Sequence, residues 1–324
     1  MTRNVHLFRE RALARFAVLA VLFVLAASLS GQASNRPLGV PEEFVITPFG
    51  YFHPSCVLAL TEGDTLLADG RVEHADGRAD ANVPFCNYAH YTRTGVLVLG
   101  DGEALRGIDP PTISGWLEYV SVSTTSSYGK ISAMWKVPPA PTAQDGQVLF
   151  FFPGFEDYSD VISIVQPVLQ FGASAGGGGN YWAMESWNCC INGQAWYSPL
   201  LQVSAGDTIF GAITSNCKPG SSSCSTWNVV SRDVTTGKAT TLAKTPVGGQ
   251  VWNWAFGAVT EDYGVNKCTE FPANTGLTFN VRLYDQNGTL IASPAWKGSP
   301  ASSGTTPKCA YGVVETPTRE SVKY

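Results

Sequence analysis

Residues 161–187 have the sequence VISIVQPVLQFGASAGGGGNYWAMESW, in which two apolar runs flank a glycine-rich stretch. The two runs, Val161–Phe171 and Tyr181–Trp187, are of strand length and rich in β-branched or aromatic residues, the types that favour β-strands. The stretch between them, Ala173–Asn180, predicts a flexible loop. It does not predict a phosphate-binding loop, because neither a helical segment nor a Lys-Ser or Lys-Thr pair follows it.

Short apolar runs separated by turn residues continue on both sides of this stretch. No long run has the period of an amphipathic helix. The sequence therefore predicts an all-β fold in which antiparallel strands form two packed sheets. Further strands are expected at Gly129–Val137, Gln147–Phe152, Ala195–Val203, Thr208–Thr214, Trp227–Val234, Val251–Thr260 and Leu277–Leu283.

The N-terminus has the pattern of a secretory signal peptide. Four arginines within the first 15 residues precede an apolar run, Phe16–Leu29, and small residues follow it. The run has 14 residues, which is shorter than the ~20 needed to span a bilayer. We expect cleavage near Ala33, a signal peptide over residues 1–33, a secreted and extracellular protein, and no stable membrane association.

Residues 34–111 form a separate segment by composition. They are rich in Asp and Gly, contain their own pair of cysteines, and end in Asp109-Pro110-Pro111, which predicts a linker. We therefore expect a small N-terminal segment, removable as a pro-peptide, in front of a β-sandwich domain at residues 112–324.

All eight cysteines follow the apolar N-terminal run, and an even number in an exported chain predicts disulfides. Cys56 with Cys86 would cross-link the N-terminal segment, and Cys217 with Cys224 would close a short loop. The spacing does not fit a zinc site.

Charge argues against a nucleic-acid partner. The formal net charge is -5, only 15% of residues are charged, and no basic stripe is present. Binding to phosphate backbones depends on such a stripe.

Histidine is absent beyond Pro111, since the four histidines are His6, His53, His74 and His90. Serine and cysteine hydrolases usually activate the nucleophile with a histidine, and hydrolytic zinc sites usually contain several. Carboxyl and amide side chains are therefore the groups left for catalysis in the main domain. Acids beside apolar strand positions, where burial would raise the pKa and favour general acid–base chemistry, are Glu118, Glu156, Asp157, Glu185, Glu261 and Asp262.

Several motifs, in one order along the chain, resemble those of the eqolisins, a family of glutamic peptidases. Val168–Gly172 is similar to the Ile-Leu-Gln-Thr-Gly of that family, Trp182–Trp187 to its Trp-Tyr-Glu-Trp, and Ala258–Tyr263 to its Ile-Ile-Glu-Asp-Phe. Weaker similarities lie at Gly129–Pro138, Phe152–Glu156, Ala205–Ile209 and Asp233–Lys238.

The resemblance implies an acid endopeptidase with a concanavalin A-like (lectin-like) jelly roll, a monomer that acts on polypeptides without a cofactor or a metal. It implies that Glu261 deprotonates a water molecule and that Gln170 positions this water and stabilises the oxyanion. The supporting or substrate-binding residues that it implies are Glu156, Glu185, Trp182 and Trp187. Glu156 and Phe171 depart from the family pattern, which puts substrate preference in doubt.

The sequence is also compatible with two other functions. Aromatic β grooves with two acids also occur in carbohydrate-active proteins, in which Glu185 could pair with Glu261 and Gln170 would not be needed. A secreted binding module that has the fold without the activity is the other reading.

Overall fold

The computed structural model describes residues 36–80, 86–99, 115–159, 161 and 163–324. The predicted signal peptide and the predicted Asp109-Pro110-Pro111 linker lie outside these residues. Within them, no helix has both the length and the apolar character required to cross a membrane.

Strands make up nearly all of the regular structure in the described part of the chain, and the helical segments there are single 3₁₀ turns at Pro54–Cys56, Ile191–Gly193 and Cys268–Glu270. The strands are β1 (Val45–Thr47), β2 (Gly50–Phe52), β3 (Val57–Ala59), β4 (Thr65–Leu66), β5 (Val72–Glu73), β6 (His90–Tyr91), β7 (Leu97–Val98), β8 (Glu118–Ser123), β9 (Tyr128–Lys136), β10 (Val148–Glu156), β11 (Ile164–Ser174), β12 (Gly177–Cys189), β13 (Ala195–Tyr197), β14 (Leu201–Gln202), β15 (Thr208–Ser215), β16 (Thr226–Asp233), β17 (Ala239–Pro246), β18 (Trp254–Tyr263), β19 (Leu277–Asp285), β20 (Lys297–Ser299), β21 (Gly312–Glu315) and β22 (Arg319–Lys323).

Two large sheets form the body of the protein. The front sheet has the order β20-β8-β18-β10-β11-β12-β13-β3, with β14 also paired to β12. The back sheet has the order β17-β16-β15-β9-β19-β22-β21. Apart from the parallel pair β13–β3, the strand pairs within both sheets are antiparallel. The predicted all-β antiparallel sandwich is confirmed.

A hydrophobic core fills the space between the two sheets. Phe151 and Leu169 of the front sheet belong to the same buried cluster as Ile131, Ile213 and Phe279 of the back sheet. Side chains alternate between the faces of a strand, so their neighbours in sequence point to the outer face of the front sheet.

The outer face of the front sheet is buried as well, because the N-terminal segment packs on it. Phe49 and Phe52 from this segment share a second buried cluster with Phe150, Val168 and Trp187. The central front-sheet strands are therefore buried on both faces, as expected for a sheet covered on both sides.

The N-terminal segment has its own small sheet, with the order β1-β2-β6-β7. It also contributes β3 to the edge of the front sheet, where the Leu60 amide continues the pairing to the Tyr197 carbonyl at 2.8 Å. The described part of the segment thus belongs to the same compact unit as the sandwich.

The expected flexible loop at Ala173–Asn180 is wrong. β11 continues to Ser174 and β12 begins at Gly177, so Ala175 and Gly176 alone form the turn of a β-hairpin. Gly177 and Gly178 have φ of 105° and 94°, a backbone conformation that favours glycine. The glycines therefore allow a tight, bent hairpin.

Four disulfides are present. The predicted pairs Cys56–Cys86 and Cys217–Cys224 are confirmed. The other two are Cys189–Cys190 and Cys268–Cys309.

A buried carboxyl holds the C-terminal strands against the front sheet. Glu118 on β8 accepts hydrogen bonds from the backbone amides of Gly312 and Lys323, each at 3.0 Å. Burial raises the pKa of Glu118 to about 7. A second acid, Glu320 on β22, is also buried, and burial raises its pKa to about 8.

Candidate active site

The strand register places Gln170 and Glu261 in one row of the front sheet. Phe150 on β10 pairs with Gln170 on one side and with Glu261 on the other. Directly paired residues of neighbouring antiparallel strands point to the same face. The Cα atoms of Gln170 and Glu261 are therefore about 10 Å apart, two strand spacings, with the Phe150 side chain between them.

This row lies on the outer face of the front sheet, beneath the N-terminal segment. Phe150 belongs to the cluster that the segment covers. Gln170 is 1% exposed and Glu261 is fully buried. The two polar side chains thus lie in a closed, largely apolar space, where electrostatic interactions are strong.

Three hydrogen bonds orient the amide of Gln170. Its Nε2 donates to the carbonyls of Gly172 at 2.8 Å and Gly177 at 2.9 Å, and its Oε1 accepts from the Ser174 hydroxyl at 2.8 Å. A Cβ on Gly178 would lie 2.4 Å from this Nε2. The bent hairpin therefore wraps closely around Gln170.

Tyr263 binds the carboxyl group of Glu261. The two residues are two apart on β18 and share a face, and the phenol donates a hydrogen bond to Glu261 Oε1. Burial, together with the nearby Glu261 charge, raises the pKa of Tyr263 well above its usual value. The phenol therefore stays protonated and acts as a donor.

Glu185 and Trp187 lie on the same face, on β12. Glu185 pairs with Val168, two residues along β11 from Gln170. The Trp187 indole donates to Glu185 Oε2 at 3.1 Å. Burial raises the pKa of Glu185 to about 8, so this carboxyl is neutral at acid pH.

Two of the residues predicted from the sequence lie away from this group. Trp182 points into the core between the sheets, where its ring lies 5.1 Å from Phe171. Glu156 shares a face with Phe150 but is six residues further along β10, about 20 Å away at the rise of a β-strand. The structure therefore places Gln170 and Glu261 in one row, with Glu185 and its partner Trp187 further along the same face. Trp182 lies on the opposite face, and Glu156 lies beyond this group on β10.

The N-terminal segment closes the site through specific contacts. The Tyr51 ring packs edge-to-face on Tyr263, with 5.1 Å between centroids. The Ile46 carbonyl accepts a hydrogen bond from the Ala175 amide in the hairpin turn at 2.8 Å. Arg93 Nη1 lies 3.2 Å from Asp262 Oδ1, next to Glu261 in sequence. These contacts join the segment to β18, which carries Glu261, and to the hairpin turn directly after β11, which carries Gln170.

Sequence reasoning missed Tyr263 and Tyr51. Tyr263 could have been found, because a residue two positions after Glu261 on a strand shares its face. Tyr51 could not, since its place depends on how the N-terminal segment folds back on the sheet.

A cavity of about 850 Å³ lies elsewhere, on the back sheet, and is lined by residues that include Met134, Asn280 and Arg319. It contains none of the predicted site residues. In the described part of the chain, His, Cys, Asp and Glu side chains form no group of three or more that could hold a metal ion.

No family model and no curated protein matches the sequence. Solved structures with a similar fold include scytalido-glutamic peptidase bound to a peptide-based transition-state analogue, with 13% identity and a TM-score of 0.48. The match covers 65% of this chain and 98% of that one. SCP-B, an eqolisin in complex with the tripeptide Ala-Ile-His, has the same identity and coverage, and a TM-score of 0.45. Aspergilloglutamic peptidase from Aspergillus niger has 15% identity over 55% of this chain and 98% of its own, with a TM-score of 0.38.

Proposed function

We propose that this chain is a secreted acid endopeptidase of the eqolisin type, with Gln170 and Glu261 as its catalytic pair. The observation that carries the proposal is that Gln170 and Glu261 lie in one row of the front sheet. A neutral amide and a carboxyl group thus flank Phe150 on the same face. The motifs that contain these two residues are also the ones that resemble the glutamic peptidases. The four disulfides suit an oxidising, extracellular compartment.

Glu261 is the general base in this proposal. Its carboxylate takes a proton from a water molecule that attacks the peptide carbonyl, and the carboxylic acid then gives that proton to the leaving amine. Both hydrogens of Gln170 Nε2 are donated to the Gly172 and Gly177 carbonyls in the closed state. In the active state the amide exchanges one of these bonds, so that it orients the water and donates a hydrogen bond to the developing oxyanion. Glu185, held by Trp187, supports the site as a neutral acid.

The described structure represents the closed state in this proposal. A peptide cannot reach side chains that are 1% and 0% exposed, so hydrolysis requires the N-terminal segment to leave. We propose that residues 34–111 are an inhibitory pro-peptide and that the chain is a zymogen. Its departure would free the Gln170 and Glu261 face for a polypeptide substrate.

The experiment that tests the catalytic pair is casein digestion from pH 2 to 7 after acid activation. Glu261→Gln should abolish activity, and Gln170→Ala should lower kcat by ~10²- to 10³-fold, as loss of an oxyanion donor does. Gln166→Ala is the matched control. Gln166 is a buried amide on the same strand that donates to the Pro48 carbonyl at 3.1 Å, and its loss should leave kcat within about twofold of wild type, since it makes no transition-state contact. Wild-type activity in Glu261→Gln would contradict the proposal.

The carbohydrate-active alternative would pair Glu185 with Glu261 and would not need Gln170. The two acids share a face of the front sheet, three strands apart and offset by two residues, so their Cα atoms are about 15 Å apart. Xylan hydrolysis that survives Gln170→Ala would support that alternative.

A further inference from the structure

We propose that Tyr263 is a positioning residue for Glu261, whose phenol holds one carboxyl oxygen and keeps the carboxylate charged under acid conditions. The inference rests on the proposed function. It assigns to Tyr263 a task that neither the catalytic pair nor the closing segment performs, namely tuning the base.

The first support is the geometry of the hydrogen bond. Tyr263 and Glu261 project from one strand to one face, and the phenol donates directly to Glu261 Oε1. Tyr263 is 2% exposed, and the Phe150 ring packs edge-to-face on it at 5.9 Å. Because Phe150 also lies between Gln170 and Glu261, it fixes the phenol relative to both members of the pair.

The second support is the direction in which this hydrogen bond shifts the protonation equilibrium of Glu261. A hydrogen bond donated to a carboxylate favours the charged form, and a general base must be charged to accept a proton. In an enzyme that works in acid, the group that preserves this charge extends the active range to lower pH. The phenol can do this throughout the acid range because burial raises the pKa of Tyr263 well above its usual value.

Other ionisable groups near Tyr263 come mainly from the segment that is proposed to leave. Tyr51 contacts the Tyr263 ring, Arg36 lies 4.8 Å above the Tyr51 ring, and Arg93 pairs with Asp262. Once residues 34–111 are removed, Tyr263 and Asp262 are the members of this group that remain on β18. Tyr263 is the one that binds the Glu261 carboxyl.

The test is the pH dependence of kcat for wild type and Tyr263→Phe after acid activation. The pH below which kcat falls should move upward by about one unit, the amount that one hydrogen bond to a charged group typically contributes. At pH 3 this corresponds to a loss of up to about tenfold in kcat with little change in KM. Tyr128→Phe is the matched control. It removes a buried phenol that lies in the core between the two sheets and donates to the Val122 carbonyl at 3.3 Å. The pH profile of kcat for this variant should match that of wild type.

A second variant tests the same role of Tyr263 if Tyr263→Phe does not fold. Site-specific replacement of Tyr263 by 3-fluorotyrosine keeps the shape and makes the phenol a stronger donor, so the acid limit of kcat should move to lower pH. If the folded variants are active and the pH dependence of their kcat matches wild type, the proposed role of Tyr263 is wrong. The proposal that Gln170 and Glu261 are the catalytic pair would still stand. A wild type that cleaves no casein at any pH would overturn both.

Discussion

At the scale of single residues, the geometry of the candidate site depends on two glycines, Gly176 and Gly178, because they have no side chain. Gly176 and Gly178 let the hairpin lie directly on the polar groups, since a Cβ at Gly176 would be 2.4 Å from both Glu185 carboxyl oxygens. At Gly178 the same atom would be 2.4 Å from Gln170 Nε2 and from the Gly172 carbonyl. These two glycines determine where the Gln170 amide and the Glu185 carboxyl can lie.

Gly178→Ala should therefore displace the Gln170 amide. We expect kcat on casein to fall at least about tenfold, because a misplaced oxyanion donor loses most of its effect, and stability to fall by about 2 kcal/mol from the strained backbone. Gly206→Ala is the matched control, because Gly206 also has a positive φ, 91°, but a Cβ there meets nothing within 4 Å. It should keep its kcat and lose no more stability than Gly178→Ala, since it adds the strained backbone without the clash. Full kcat in Gly178→Ala, measured on folded protein, would contradict this account.

At the scale of elements, an ion pair joins the N-terminal segment to β18, the strand that carries Glu261. Arg93 of the segment contacts Asp262 of β18. Burial raises the pKa of Asp262, and the Arg93 charge opposes this rise. As pH falls and Asp262 takes up a proton, the attraction that holds the segment is lost.

Arg93→Ala should let the segment leave at higher pH. Without Arg93 the attraction is absent at every pH and the buried Asp262 carboxylate is left unpaired, so we expect the segment to be released already at pH values, about one unit or more higher, where wild type retains it. Size-exclusion chromatography after acid treatment would measure release, and N-terminal sequencing should find a mature start beyond residue 111. Arg71→Ala, which removes an exposed arginine paired only within the segment, should release normally. A mature active protein that begins near Ser34 would contradict the pro-peptide proposal.

The sequence predicts most of the strands, because period-two alternation and turn residues are local signals. β15, for example, lies at Thr208–Ser215 where Thr208–Thr214 was expected. The same alternation, applied to β12, would have placed Trp182 on the opposite face from Glu185 and Trp187. No local sequence pattern predicts that the N-terminal segment covers Gln170 and Glu261. This packing depends on contacts between residues such as Tyr51 and Tyr263, which are far apart in sequence.

At the scale of the whole molecule, three buried acids make stability depend on pH. Burial raises the pKa of Glu118 to about 7 and those of Glu185 and Glu320 to about 8, from an ordinary value of 4.5. The folded chain therefore binds more protons than the unfolded chain between these values. The stability that these three groups contribute is fully present below pH 4.5 and is lost as pH rises through 7 to 8. Buried His90, whose pKa burial lowers to about 3, opposes this trend only below about pH 6.5.

Thermal unfolding of the full chain should show this trend directly. We expect Tm to fall by several degrees between pH 4.5 and 8, and Glu320→Gln to reduce that fall because it removes one of the buried titrating groups. Glu62→Gln, at an exposed acid, should leave the slope unchanged. A Tm that rises over this range would show that the buried acids do not dominate the pH response.

The Cys56–Cys86 disulfide has a consequence for how the N-terminal segment would depart. Both of its cysteines lie within the segment, and the other three bridges join residues of the sandwich only. No covalent tie would therefore keep the segment on the enzyme once the backbone is cut between residues 99 and 115. After one such cut, noncovalent contacts alone would hold the segment, and it would depart as a single fragment cross-linked by its own disulfide.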